Sequence, residues 1–130
     1  YFLEYYKQLS VSYIIPIPLH RKREVIRGYN QSEIIADGLH KMTALPLLDS
    51  RLFRSKESPP LYNLKPLQRK KALNGVFSLS NDYDLYNKNV LLIDDIFTTG
   101  STVNEASYIL KRDGGINRVY VLTLATASLL

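Results

Sequence analysis

The run Val90-Leu-Leu-Ile-Asp94-Asp95-Ile-Phe-Thr98-Thr99-Gly100-Ser101-Thr102 changes character twice within thirteen residues. Four apolar residues give a strand buried on both faces, and two adjacent carboxylates follow. Small residues, four with hydroxyls and one glycine, then open into a helix over Thr102 to Arg112. Val103, Ala106, Ile109 and Leu110 supply the apolar face of that helix, and Gly114 and Gly115 stop it. Val119 to Ala125 is again strand-like, so the unit is strand, helix, strand, which requires a parallel, right-handed crossover. Ligands of parallel sheets bind outside the carboxyl ends of the strands, where this run places its acid pair. Backbone N–H groups at the helix start, backed by the helix dipole and by Thr and Ser hydroxyls, suit a phosphate monoester. The paired carboxylates suit two vicinal hydroxyls, and together these features describe a ribose 5-phosphate.

Competing readings of the same run lack their other halves. A Walker B strand also ends in acid, but it requires Gly-x-x-x-x-Gly-Lys-Ser/Thr elsewhere, and none of the six glycines begins one. The dinucleotide fingerprint Gly-x-Gly-x-x-Gly is likewise missing. A magnesium-bound acid pair of the response-regulator kind has no use for Thr-Thr-Gly-Ser-Thr.

Working outward, Tyr1 to Leu9 has Phe2, Tyr6 and Leu9 at helical spacing. Ser12 to Ile17 is a β-branched strand that ends at Pro16 and Pro18, followed by a loop. Asn30 caps a helix whose third residue is Glu33, with Ile34, Ile35, Leu39 and Met42 as its apolar stripe. Leu52 to Arg54 and Val76 to Leu79 are short strands, and Tyr83 to Asn89 is a turn region. Between the short strands, Ser55 to Pro66 carries three prolines and reads as a mobile loop, and Pro66 starts a helix over Leu67 to Leu73. Most of the ten tyrosines are expected in the core or at its margin, with Tyr29 and Tyr62, beside basic loops, as the two placed to stack on bases. The class is α/β, a largely parallel sheet flanked by helices in one domain over residues 1 to 130.

Composition narrows the chemistry. With 130 residues the chain buries a core without staples. Its zero cysteines exclude a disulfide scaffold, a thiolate metal site and a thiol nucleophile, and two histidines are too few for a histidine cage. No apolar run approaches the roughly 20 residues that span a bilayer, and no signal peptide is visible, so the cytoplasm is the expected location. The net charge of +5 is uneven: residues 20 to 71 hold twelve Lys/Arg against five Asp/Glu, residues 72 to 130 four against six. A field of that kind attracts phosphates, whether of a small molecule or of a nucleic acid.

The run from Val90 to Thr102 closely resembles the phosphoribosyl-pyrophosphate (PRPP) motif of type I phosphoribosyltransferases. Two further stretches, Ile15-Pro-Ile-Pro18-Leu19-His20-Arg21 and Arg27-Gly28-Tyr29-Asn30-Gln31, are similar to the ComF branch, associated with bacterial competence for DNA uptake. The resemblance spans roughly residues 12 to 126. It implies that Asp94 and Asp95 hold the ribose hydroxyls and a magnesium ion, as the catalytic pair, while Thr98, Thr99, Gly100, Ser101 and Thr102 hold the 5-phosphate. It assigns the pyrophosphate to the loop with Leu19, His20, Arg21 and Arg27. Lys56, Arg69, Lys70 and Lys71 are candidates to track a nucleic acid strand or to close over pyrophosphate. Phe97 stands where many members carry a small aliphatic residue, and Pro60-Leu61 where relatives tend to carry Pro-Gln.

Two functions follow from the resemblance. One is a PRPP-binding competence factor that handles incoming single-stranded DNA, with other competence proteins at the inner membrane as partners. The other is a magnesium-dependent transferase that moves ribose 5-phosphate from PRPP to a nitrogen acceptor. In the second, pyrophosphate leaves through an oxocarbenium-like state neutralised by magnesium and Lys/Arg, and no protein nucleophile is needed. ComF proteins carry a cysteine-rich zinc segment ahead of this domain; residues 1 to 11 then read as the remnant of its link, and zinc would belong to that segment alone.

Overall fold

A computed structural model describes residues 9–18, 30–55, 65–68, 75–80, 84–97 and 100–126. The named elements among these residues are β1 (Val11–Pro16), α1 (Gln31–Thr43), β2 (Leu52–Arg54), β3 (Phe77–Leu79), β4 (Asn89–Phe97), α2 (Ser101–Gly114) and β5 (Arg118–Thr126). The main sheet has the order β1-β4-β5, parallel throughout, and β2 and β3 form a separate antiparallel pair. A parallel bridge from Ile14 to Leu47 extends the main sheet beyond β1.

The central strand is apolar on both faces because both are covered. Val90 and Leu92 pack with Val103, Ala106, Ile109 and Leu110 of α2, and this cluster also takes in Leu52 and Phe77 of the β2-β3 hairpin. Leu91 and Ile93 face the opposite way, toward Ala36 with Ile35 and Leu39 of α1. Each fully buried Leu or Ile here contributes about 1.5–3 kcal/mol of transfer free energy. The four residues expected on the inner face of α2 are all buried.

For α1 the expected stripe is half right. Ile35 and Leu39 pack inward beside Ala36, whereas Ile34 and Met42 are more than half exposed. At 100° per residue Ile34 lies roughly 150° from the centre of the seam through 35, 36 and 39, on the opposite face, and Met42 roughly 70° from it, on the flank. Asn30 caps the helix, its side chain accepting from the Ser32 N–H at 3.0 Å, and a left-handed Ala44 ends it.

A second difference concerns β4, which runs on through the acid pair to Phe97 rather than ending at Ile93. The cause is its β5 neighbour, which continues to supply ladder partners: Asp94 faces Thr123 and Phe97 faces Thr126. Of the expected Leu67 to Leu73 helix, only Leu67 and Gln68, helical together with Pro66, are among the described residues. The expected opening helix falls outside them except for Leu9, which lies in a turn.

Candidate ligand site at the carboxyl edge of the sheet

The site is built by strands of unequal length. β1 pairs with β4 as far as Pro16 opposite Ile93, with one further bond from the Ile17 N–H to the Ile93 carbonyl at 2.8 Å. Pro18, unable to donate, follows at once. Beyond that point β4 continues against β5 alone, so Asp94 and Asp95 lie where β1 has left the sheet. A crevice of this kind is where open parallel sheets bind ligands.

Asp94 is 8 % exposed, and its Oδ1 accepts the Asp95 backbone N–H at 2.9 Å. Pleat alternation continues the Leu92 side at Asp94, toward α2 and the hairpin, and the Leu91 and Ile93 side at Asp95. Burial, the Asp95 charge and a hydrogen bond with the Asp95 side chain push the Asp94 carboxyl up to about 7, opposed by its backbone bond and by the Arg54 charge.

The loop after the acids reaches α2 through Gly100, which is buried and left-handed at φ +82° and precedes the first helical residue. A side chain at this position would be strained. The N-terminus of α2 has no side-chain cap hydrogen bond and no acidic residue in its first turn. Its backbone donors and dipole are therefore oriented for an anion. Of the residues assigned to the ribose and 5-phosphate, the structure brings Asp94, Asp95, Gly100, Ser101 and Thr102 to this one edge, the last three opening α2. Thr98 and Thr99 lie outside the described residues, as do Leu19, His20, Arg21 and Arg27 of the pyrophosphate loop and Lys56, Arg69, Lys70 and Lys71. Tyr29 and Tyr62 lie outside them too.

Two contacts hold the described residues that flank segment 19–29. The Asn30 amide donates to the Ile17 carbonyl at 3.1 Å, and the Arg54 Nε–H donates to the Pro18 carbonyl at 2.8 Å. Arg54 is a site residue that the sequence reading missed. Its guanidinium lies 5.0 Å from the centre of the Phe77 ring and bears electrostatically on Asp94. A lone arginine in a three-residue strand gives no sequence signal; its role depends on the hairpin packing beside the crevice.

The same hairpin joins Ser55, where the proline-rich segment begins, to the residues just before β3. The Ser55 N–H donates to the Val76 carbonyl at 2.8 Å and the Ser55 hydroxyl to the same oxygen at 3.1 Å. Gly75 donates to Glu105 of α2 at 3.4 Å.

Two adjacent carboxylates, Asp94 buried and Asp95 half-buried, are a hard oxygen donor set that fits a magnesium ion. Among the described residues no group of three or more His, Cys, Asp or Glu gathers to form a closed metal cage. No described helix is long and apolar enough to cross a membrane.

No family model matches the chain. Among curated proteins it is 35 % identical over 117 residues to competence protein F of Haemophilus influenzae, covering 88 % of this chain and 50 % of that one. It is 32 % identical to competence protein ComFC of Bacillus subtilis, covering 85 % and 43 %. It is 30 % identical to the DNA utilization protein YhgH of Shigella flexneri, covering 78 % and 44 %. The chain thus spans half or less of the length of these relatives. Among solved structures, adenine phosphoribosyltransferase of Saccharomyces cerevisiae superposes with a TM-score of 0.62 at 12 % identity, covering 97 % of this chain and 62 % of that one. The purine phosphoribosyltransferase of Pyrococcus horikoshii gives 0.57 at 17 %, covering 96 % and 75 %. At such identities the structural likeness speaks for the fold.

Proposed function

Because this chain is a homologue of the ComF-type competence proteins and has the phosphoribosyltransferase fold, we propose that it binds PRPP with magnesium and serves DNA uptake by handling single strands. The observation that carries the PRPP reading is the acid pair, with Asp94 buried, in the crevice where β1 leaves β4, directly ahead of the N-terminus of α2. In this reading Asp94 and Asp95 accept the two ribose hydroxyls. The loop 98 to 102 surrounds the 5-phosphate, with backbone donors of α2 aimed at its oxygens. Leu19, His20, Arg21 and Arg27 hold the pyrophosphate, and Asn30 and Arg54 fix the ends of that segment. Asp94 and Asp95 would also hold the magnesium ion, which when bound offsets the negative charge of the pyrophosphate.

Calorimetric titration with Mg·PRPP tests the site. Binding is expected in the native protein and its loss in Asp94→Ala combined with Asp95→Ala; unchanged affinity in the double variant overturns the assignment.

A transfer reaction is the second reading, favoured by Arg54. Its permanent charge, anchored on the Pro18 carbonyl and bearing on Asp94, is of the sign that a leaving pyrophosphate needs. A nitrogen acceptor would attack the anomeric carbon as the bond to pyrophosphate breaks, with the acceptor proton passing to solvent or to the leaving group. Pyrophosphate release in the presence of candidate nitrogen bases separates transfer from binding alone. In the DNA-handling role, Lys56, Arg69, Lys70 and Lys71 supply phosphate contacts, and partners at the inner membrane are other competence proteins.

A further inference from the structure

The opposite end of the sheet has a different character. Residues 72 to 130 carry four cations, Lys88, Lys111, Arg112 and Arg118. All four fall at the amino-terminal edge of the strands: Lys88 just before β4, Arg118 at the start of β5, Lys111 and Arg112 in the last turn of α2. Backbone bonds join these pieces directly. The Asn117 N–H donates to the Lys88 carbonyl at 2.9 Å, the Asn87 N–H to the Gly115 carbonyl at 2.8 Å, and the Gly115 N–H to the Lys111 carbonyl at 3.1 Å.

Two large aromatics stand open on the same surface, apart from the core and its margin where most of the tyrosines are expected. Tyr86 is 75 % exposed and Tyr108 is 54 % exposed. Tyr86 is nevertheless held in place. Its backbone N–H is bonded to the Asp84 carboxylate at 3.2 Å, and one ring edge rests against Gly115, where an added Cβ would meet Cδ2 at 2.7 Å. Tyr108 lies one turn before Arg112, whose guanidinium carbon is 5.2 Å from its ring centre. Among the described residues two acids, Asp84 and Asp113, share the surface with the four cations, and Asp113 is bonded to Arg112 at 2.8 Å.

Exposed rings on a rigid, cation-bearing surface recognise single-stranded nucleic acid: bases stack on the rings while phosphates meet the cations. We infer that this edge is a docking surface for single-stranded nucleic acid, with Tyr86 and Tyr108 as stacking platforms and Lys88, Lys111 and Arg118 as phosphate contacts. The inference deepens the DNA-handling reading and rests on it. It places the strand at the end of the sheet away from the PRPP crevice, so both ligands fit at once.

Fluorescence anisotropy with a labelled oligothymidine, at low and moderate salt, is the test. Tyr86→Ala and Tyr108→Ala should each weaken binding about tenfold, whereas Tyr86→Phe and Tyr108→Phe should bind as the native chain does, because stacking needs the ring and not the hydroxyl. Lys111→Glu with Arg118→Glu should weaken binding and flatten its salt dependence. These two residues are exposed, so that double variant decides the matter if a tyrosine variant fails to fold. If all these variants bind as the native protein while Lys56→Ala, Arg69→Ala, Lys70→Ala and Lys71→Ala together abolish binding, this surface is overturned and the DNA-handling reading stands. If the native protein does not bind oligothymidine even at low salt, both are overturned.

Discussion

Asn30 and Ile17 are joined across 3.1 Å by a bond from a side-chain amide to a backbone carbonyl, both residues being buried. The same Asn30 side chain accepts the Ser32 N–H with its oxygen. One residue thus caps α1 and ties the start of that helix to the end of β1, so the eleven-residue segment from Leu19 to Tyr29 leaves and returns at a single point.

Replacing Asn30 with alanine removes both bonds and strands a buried carbonyl. The expected loss is about 2 kcal/mol, from the cap and from the unsatisfied Ile17 oxygen. Asn30→Asp keeps the cap acceptor but not the donor and should recover part of that loss. Urea unfolding of the three proteins checks the order; equal stability of native and alanine forms contradicts it. If residues 19–29 hold the pyrophosphate as proposed, PRPP affinity should fall along with stability, because the bond from Asn30 to Ile17 that joins the flanks of that segment is lost.

The acid pair predicts a pH dependence. Asp94 has a carboxyl pKa raised to about 7 in the fold against 3.8 when free, so between those values the folded chain holds the proton more tightly than the unfolded one. Stability from this group is fully present below about pH 4 and is lost as pH rises through 7. Asp94→Asn should therefore be more stable than the native protein at pH 8, by on the order of 2 kcal/mol, with the gain vanishing toward pH 4. The same substitution should abolish Mg·PRPP binding, since a carboxamide neither balances a cation nor accepts two hydroxyls. Thermal unfolding across that range settles the sign.

The β4-α2 unit was legible in the sequence because its signals are local and agree. An unbroken apolar run gave the strand, and positions 103, 106, 109 and 110 gave the buried helix face. Asn30 was legible as a cap for the same reason, but its bond to Ile17 spans thirteen residues and has no local trace. Arg54 reaches Pro18 across thirty-six residues, a contact that exists only once the β2-β3 hairpin has packed against α2. The extension of β4 through Asp94 and Asp95 was hidden too: two carboxylates read as the end of a strand unless the neighbouring strand is known to continue. Tyr86 and Tyr108 were not singled out because tyrosine is amphipathic, and composition alone does not say which side of it meets solvent.

Arg54 should act on Asp94 at a distance. Its charge draws the Asp94 pKa down, so Arg54→Ala should raise that pKa further and shift the pH at which Mg·PRPP begins to bind upward. Arg54→Lys retains a charge but lacks the Nε–H that meets Pro18, and it should restore the pH dependence while leaving affinity reduced. Calorimetric affinities for the three proteins between pH 6 and 9 check this. An unaltered pH profile in the alanine variant refutes the electrostatic link.

The end of α2 offers a test of backbone geometry. Gly115 is left-handed at φ +68°, and a Cβ there would lie 2.7 Å from Cδ2 of Tyr86, so alanine is strained both by its own backbone and by the ring. Gly114 is the last helical residue; its added Cβ would meet Cδ2 of Leu79 at 2.9 Å, the end of a partly buried side chain that can turn aside. Alanine at 114 also gains up to about 1 kcal/mol of helix propensity, which offsets the crowding. Gly115→Ala should therefore cost about 1–2 kcal/mol and Gly114→Ala markedly less. Because Tyr86 must move to admit the new methyl group, Gly115→Ala should also weaken oligothymidine binding, whereas Gly114→Ala should not. Denaturant midpoints and anisotropy on the same two variants read both effects, and a reversed order of stability would show that Leu79, not the left-handed turn, governs this end of the helix.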